Sequence, residues 1–118
     1  MPASTEEKEF TSYIVELMQL IGPVRAKAMF GGYGIFLEGL MFGLVADGVL
    51  YLKADKETEE EFKARELEPF TYNNKGKAFK MSYYQAPEEA LENDEEMESW
   101  AAQAYSTALR AAAKKRKK

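Results

Sequence analysis

Two short polar turns divide the most apolar part of the chain into three segments. This part runs from Met29 to Asp55, and the turns fall at Glu38-Gly39 and Asp47-Gly48. A residue followed by glycine between two apolar runs supplies the positive φ angles that a two-residue hairpin turn needs. The pattern therefore predicts three consecutive antiparallel strands, with a positive φ at Gly48 at least.

Apolar periodicity predicts the elements on either side of these strands. The expected elements are helices over residues 4–21 and 56–67, paired strands over 69–72 and 78–84, and a last helix from 94 whose apolar stripe reaches 109. Asn93 or Asp94 is expected to cap that last helix, and Trp100 on its stripe is expected to be buried against the sheet. The predicted fold is α+β, two layers, with a single antiparallel sheet packed on helices in the order α-β3-α-β2-α.

Three glycines interrupt the first predicted strand at Gly31, Gly32 and Gly34. Glycine inside a strand is typical of a bulge or of a close backbone approach. A phosphate-binding loop is disfavoured, because Leu37 stands where the third glycine of that motif would lie and a strand follows in place of a helix. These glycines, together with Asp47, Gly48 and Trp100, are therefore interpreted as structural residues.

Composition narrows the chemistry that the chain can perform. The 118 residues indicate one domain, and they include no cysteine and no histidine. The commonest general base and the usual ligands of transition metals are therefore missing. The carboxylate clusters fall on predicted helix faces, where solvation is the simpler interpretation. We expect no catalytic residues, no metal site and no cofactor, and hence a protein that is not an enzyme.

The first residues are acidic and lack the apolar core of a secretory signal, and no segment approaches the ~18 apolar residues of a membrane span. A cytoplasmic protein without a membrane partner is therefore expected.

Charge is distributed unevenly along the chain. The net charge is −4, but residues 110–118 hold six cations and no acid, so the preceding body carries −10 (−4 minus +6). The sequence therefore divides into a domain over residues 1–109 and a basic C-terminal tail over 110–118. The tail's candidate nucleic-acid contacts are Lys114, Lys115, Arg116, Lys117 and Lys118. The alternative is that these cations only keep a helix end soluble and favour its dipole.

A second basic region combines cations with aromatic rings on the predicted second hairpin. This candidate surface patch consists of Tyr72, Lys75, Lys77, Lys80 and Tyr84. Aromatic residues on a basic strand surface can stack nucleic-acid bases. A small-molecule-binding enzyme that uses the same patch is the weakest of the functional interpretations.

Several motifs resemble one family. They include Met29-Phe30-Gly31-Gly32-Tyr33-Gly34, Tyr51-Leu52-Lys53, Lys75-Gly76-Lys77, Met81-Ser82-Tyr83 and Ala86-Pro87-Glu88. Over residues 9–109 the sequence is similar to the N-terminal domain of the TfoX/Sxy family. The resemblance implies a fold like that of secretion chaperones and a role related to natural competence, in which members are thought to help the cyclic-AMP receptor protein at certain promoters.

Members of that family carry a second, C-terminal domain, and this sequence is interpreted as a stand-alone N-terminal domain. The leading hypothesis is a non-enzymatic regulator or adaptor that acts through contacts with an unidentified protein partner. The alternative is a nucleic-acid-binding accessory protein that makes weak DNA or RNA contacts through the tail. A homodimer is compatible with either hypothesis.

Overall fold

The computed structural model describes residues 5–29, 32–74 and 77–116, with side chains for all of these except 5, 72–74, 77–81 and 115–116. The described chain forms α1 (Thr5–Leu17), β1 (Arg25–Met29), β2 (Gly32–Leu37), β3 (Leu40–Ala46), β4 (Val49–Lys53), α2 (Glu59–Ala64), β5 (Pro69–Asn74), β6 (Lys77–Gln85) and α3 (Asp94–Arg116). Short 3-10 turns lie at Gln19–Ile21 and Glu88–Leu91.

The six described strands form one antiparallel sheet in the order β1-β2-β3-β4-β6-β5. The α+β class with a single sheet packed on helices is therefore confirmed. The predicted order missed β1, which lies at the edge of the sheet and pairs with β2. Four of the five β1 residues are exposed, so the strand has no buried apolar face to reveal it in the sequence.

Both predicted hairpin turns are present. φ is 52° and 81° at Glu38 and Gly39, and 53° and 73° at Asp47 and Gly48. Two successive residues with positive φ match the right-handed twist of the strands that the turn joins. The prediction of a positive φ at Gly48 is confirmed, and so are the three strands β2, β3 and β4.

The core lies between one face of the sheet and the helices α1 and α3. Ile14 of α1, Met18 just after that helix, and Trp100 and Ala104 of α3 belong to one buried cluster. The large strand residues of the same cluster are Ile35, Leu37, Phe42, Val45, Leu50, Leu52 and Tyr84. Trp100 is 6% exposed and its ring centroid lies 5.4 Å from that of Phe62 in α2. The predicted burial of Trp100 is confirmed.

Two of the three glycines of the first predicted strand lie where another part of the chain comes close. A Cβ atom at Gly32 would lie 2.1 Å from the carbonyl oxygen of Val45, and one at Gly34 would lie 2.5 Å from the sulfur of Met29. The β-bulge between β2 and β3 falls at Ile35 and Phe36. Close approach therefore explains Gly32 and Gly34, and Gly31 is outside the described residues.

The helices differ from the predicted ones mainly at their ends. Asn93 caps α3 as expected, since its side-chain oxygen accepts a hydrogen bond from the Glu96 amide at 2.8 Å. α2 spans residues 59–64, which is shorter than the predicted 56–67. The predicted boundary between domain and tail, at residue 109, falls inside α3, which continues to Arg116.

Candidate interaction surfaces

The acidic residues all lie outside the sheet, whereas basic residues occur both in the strands and elsewhere in the fold. None of the six strands contains aspartate or glutamate, so all 20 acids lie in helices, turns and loops. The strands contain five cations, Arg25, Lys27, Lys53, Lys77 and Lys80. The sheet of a chain with a net charge of −4 is therefore its cationic layer.

The face of the sheet that points away from α1 and α3 is called the outer face here. Leu44 and Tyr83 lie on this outer face, because they pair with Tyr51 and Lys53. Both are buried, at 4% and 7% exposed, although they do not belong to the main core cluster. Successive strand residues point to opposite faces, so the core position of Leu52 places Tyr51 and Lys53 on the outer face. The Tyr51 ring meets that of Phe70 edge-on at 5.0 Å between centroids.

Outer-face residues have their own electrostatic environment. Burial raises the pKa of the Tyr83 hydroxyl to about 12, and the Lys53 ammonium lies 5.2 Å from the centre of its ring. Burial, with smaller effects of Asp47 and Glu68, also raises the pKa of Tyr51. Both phenols therefore stay neutral at physiological pH.

Strand β1 is an edge of the sheet with a groove on each side, and we call this region the β1 edge. The inner groove, toward α1, is lined by Lys8, Thr11, Ser12, Val15, Ala26 and Tyr33. The outer groove is lined by Pro23, Arg25, Ala26, Lys27, Phe36, Glu38 and Gly39. Arg25 pairs with Phe36 and Lys27 with Gly34, so both cations lie on the outer face.

An ion pair connects α3 to the residues that follow β4. Arg110 donates hydrogen bonds from Nε and Nη2 to Oδ2 of Asp55, at 3.2 and 2.8 Å. The other carboxylate oxygen of Asp55 accepts the amides of Glu57 and Thr58, both at 3.0 Å. Burial opposes ionisation here, but the hydrogen bonds from Arg110 and from the two amides lower the pKa of Asp55 to about 2. Arg110 is therefore part of the folded domain.

The candidate patch on the second hairpin is only partly within the described side chains. Tyr84 is 3% exposed, its ring stacks on Phe62 with centroids 5.5 Å apart, and its hydroxyl donates to Glu59 at 3.1 Å. It points to the core because it pairs with Leu52, so it does not contribute to a surface patch. The side chains of Tyr72, Lys75, Lys77 and Lys80 are outside the described part.

The candidate nucleic-acid contacts begin on the last turn of α3. Lys114 is exposed, and the helix backbone continues through Lys115 to Arg116. The side chains of residues 115 and 116, and all of Lys117 and Lys118, are outside the described part. Cations at a helix C-terminus are favoured by the helix dipole, whatever else they bind.

Within residues 5–29, 32–74 and 77–116, no three carboxylates are grouped as a metal site would require. Among the helices of this described part, none combines the length and the apolar composition of a membrane-spanning segment.

Arg25 and Lys27 were not among the candidate residues derived from the sequence. The available signal was weak, since Arg-Ala-Lys-Ala-Met after Gly22-Pro23 alternates cations with alanines that could equally belong to a loop. Only the pairing of β1 with β2 shows that both cations share one face of a strand. The Arg110–Asp55 contact was also missed, because 55 residues separate its partners.

The fold and these surfaces define a small α+β domain whose sheet carries only cations among its charged residues. Residues 16–108 match the TfoX N-terminal domain family, and the chain belongs to this family. The resemblance seen in the sequence motifs is thereby confirmed.

The chain is similar to the following TfoX and Sxy proteins. It is 32% identical over 82 residues to DNA transformation protein TfoX1 of Aliivibrio fischeri, which covers 70% of this chain and 37% of that protein. It is 26% identical over 78 residues to protein Sxy of Escherichia coli, covering 66% and 37%. It is 38% identical over 71 residues to DNA transformation protein TfoX of Haemophilus influenzae, covering 59% and 33%. The chain thus matches about a third of the length of each relative.

Proposed function

We propose that this protein is a non-enzymatic regulator or adaptor that acts in the cytoplasm through contacts with another protein, in a process related to DNA transformation. The support from sequence is its membership of the TfoX N-terminal domain family and its similarity to relatives named DNA transformation proteins. Each relative is about three times as long as the region that it shares with this chain. An activity of the whole relative is therefore only proposed for this chain.

The observation that carries the proposal is the β1 edge. An open strand edge flanked by two grooves offers backbone groups, apolar surface and cations to a partner at one place. Among the described residues that line the two grooves, Glu38 is the one carboxylate, so neither groove holds the pair of acidic groups that a carboxylate-based catalytic site needs. A recognition role therefore fits this surface better than catalysis.

A domain exchange tests the proposed function. The region of the H. influenzae TfoX that matches this chain is replaced by the full 118 residues, and transformation frequency is measured in that organism. The expected result is a frequency clearly above that of the null strain. A chimaera that accumulates to the native level and still behaves as the null strain would contradict the proposal.

A second candidate function is nucleic-acid binding through the end of α3. The observation in its favour is that the helix carries Lys114, Lys115 and Arg116 on its last turn, beyond the Arg110–Asp55 contact that holds the helix to the domain. Such binding would be independent of sequence and would fall steeply with salt. The acidic body would oppose it beyond the reach of that turn.

A further inference from the structure

We propose that the β1 edge binds an extended, acidic segment of a partner protein by adding it to the sheet as a seventh strand. This inference rests on the proposed function, because it specifies the chemistry of the protein partner. The added strand would pair its backbone with β1 and place its carboxylates against Arg25 and Lys27. Main-chain pairing supplies affinity in such complexes, and alternate side chains supply specificity.

The two edges of the sheet differ in their fitness for strand addition. The register between β1 and β2 is continuous from Arg25 to Met29, and β1 contains no proline. The opposite edge, β5, begins with Pro69 and has a register irregularity between Pro69 and Thr71. Proline and irregular pairing both discourage a further strand. Among the described strands, β1 is therefore the edge that can be extended.

Alternation along β1 predicts the sequence that would bind. Ala26 and Ala28 pair with Ile35 and Tyr33, so they face the α1 side, where Val15 and Tyr33 line the inner groove. Residues opposite these alanines should be small or medium and apolar. The residues between them would lie opposite the two cations and should be acidic, since opposite charges stabilise cross-strand pairs.

The outer groove is not uniformly positive. Glu38 lies at its Arg25 end, beyond the pairing of Arg25 with Phe36. Lys27 lies two residues farther along β1, where it pairs with Gly34, so it is more distant from the Glu38 carboxylate than Arg25 is. Lys27 is therefore the better site for an incoming carboxylate and the better residue for a test.

A second copy of this chain fits the edge poorly. Antiparallel pairing of two β1 strands about Lys27 would set that lysine opposite its own copy, and pairing about Ala26 would set Arg25 opposite Lys27. Like charges directly opposite each other destabilise a strand pair. These arrangements disfavour self-association and favour an anionic partner.

A single-stranded nucleic acid fits less well than an acidic peptide. Base stacking needs accessible ring faces, and the outer-face aromatics Phe36, Tyr51 and Phe70 are each only partly exposed. Tyr83 is buried, with Lys53 over its ring. The half-buried apolar surface and the open backbone are better matched by a polypeptide strand.

The test uses a labelled peptide of about seven residues, enough to pair with the whole of β1, with glutamate and valine at alternate positions and blocked ends. Its binding to the full chain is followed by fluorescence anisotropy. Lys27→Glu is expected to weaken binding about tenfold or more, and Lys56→Glu, which makes the same charge change at an exposed site outside the grooves, is expected to leave it unchanged. A peptide with lysine in place of glutamate should bind Lys27→Glu better than the native chain.

Backbone pairing is tested on the peptide, with the protein unaltered. Only alternate residues of an added strand would direct their amides toward β1. Methylating the amides of these residues should therefore abolish binding, and methylating the amides of the other residues should leave the affinity unchanged. The proposal is overturned if the peptide does not bind, if both methylated forms bind alike, or if Lys27→Glu binds like the native chain. It is also overturned if a single-stranded oligonucleotide binds and the peptide does not. A last contrary outcome is that the cations only prevent self-association of the edge, in which case Lys27→Ala self-associates and the chain has no affinity for the peptide.

The domain exchange and the peptide measurement fail independently. If the chimaera restores transformation and the peptide does not bind, the proposed regulatory function is supported and the β1 edge is refuted as its binding site. Peptide binding with an inactive chimaera would establish the site and remove the role in transformation.

Discussion

Arg110 of α3 donates two hydrogen bonds to one carboxylate oxygen of Asp55, which lies just after β4. The distances to this oxygen are 3.2 Å from Nε and 2.8 Å from Nη2. Nη2 of Arg110 also lies 3.3 Å from the hydroxyl of Thr107, which is fully buried. The guanidinium thus joins the last third of the long helix to the loop that leads into α2. Charge-assisted hydrogen bonds of this geometry are stronger than neutral ones.

Acid should weaken this contact within a defined pH range. The pKa of Asp55 is lowered from 3.8 to about 2 in the folded chain, so its stabilisation is complete above pH 4 and is lost as the pH falls toward 2. Arg110→Ala should remove most of that loss, giving a variant that is less stable at pH 7 but less sensitive to acid in this range. Urea midpoints measured from pH 7 to pH 2 check this, with Lys56→Ala as the control. Identical pH slopes for Arg110→Ala and the native chain would refute the assignment.

The Asp47-Gly48 turn provides a second prediction. Gly48 has a φ of 73° and a Cβ there would meet no atom within 4 Å, so only backbone strain opposes a side chain. Gly48→Val should destabilise the fold by roughly 1–3 kcal/mol, because β-branched residues avoid this region. Gly48→Asn, which tolerates the left-handed conformation, should cost much less. Equal losses of stability in chemical denaturation would show that strain is not the cause.

Gly32 should be the least replaceable glycine of β2. Its φ is unremarkable, but a Cβ would lie 2.1 Å from the Val45 carbonyl oxygen, and a backbone atom cannot move aside as a side chain can. Gly32→Ala should therefore cost about 3 kcal/mol or more. Gly39→Ala is the matched control, since it has open space and only a φ of 81° to overcome. If Gly32→Ala is the more stable of the two variants, β2 and β3 do not approach as described.

Trp100 should be a main contributor to the core. It is 6% exposed, tilts against Phe62 and lies under the Arg65 guanidinium at 5.0 Å. Trp100→Ala should cost roughly 3–5 kcal/mol, and Trp100→Phe clearly less, because it keeps most of the buried area. Denaturation of both variants measures the difference. Native tryptophan fluorescence that is red-shifted and freely quenched would contradict the burial.

Two truncations separate the structural and the binding roles of the basic end. Removing residues 114–118 should leave the melting temperature nearly unchanged, because a run of like charges has no apolar face to dock. Removing residues 110–118 should lower it, because Arg110 and its contact with Asp55 are lost. A similar melting temperature for both truncations would show that the Arg110–Asp55 contact contributes little.

The same truncated chain tests nucleic-acid binding. If the end of α3 binds duplex DNA, deletion of 114–118 should abolish a weak affinity whose log–log salt slope is no larger than about 5. Equal binding by the full and truncated chains, or none by either, would eliminate this second candidate function.

Local sequence signals were sufficient where they fixed the backbone directly. The turns at Glu38-Gly39 and Asp47-Gly48 were predictable because few residue pairs accept two positive φ angles. β1 was not, because an exposed edge strand of cations and alanines has no apolar periodicity. The start of α2 at Glu59 was displaced from the predicted Lys56, since the Asp55 carboxylate binds the amides of the following residues in a turn.

The candidate surface depends on contacts that the sequence does not contain. Arg25 and Lys27 became a pair on one face only through their partners in β2. The lysines near Tyr84 in the sequence predict a surface position for it, but Tyr84 pairs with Leu52 and its side chain therefore lies in the core. Composition predicts that a basic tail begins at Arg110, but the alanine-rich helix α3 continues past this residue to Arg116.

The central claim is that this chain acts through protein contacts, and affinity capture from a lysate of its own cells, with and without nuclease, tests it most directly. We predict that a discrete set of proteins is retained by the native chain, that nuclease leaves this set unchanged, and that Lys27→Glu loses it while Lys56→Glu keeps it. Release of all captured proteins by nuclease, or capture of none, would contradict the claim.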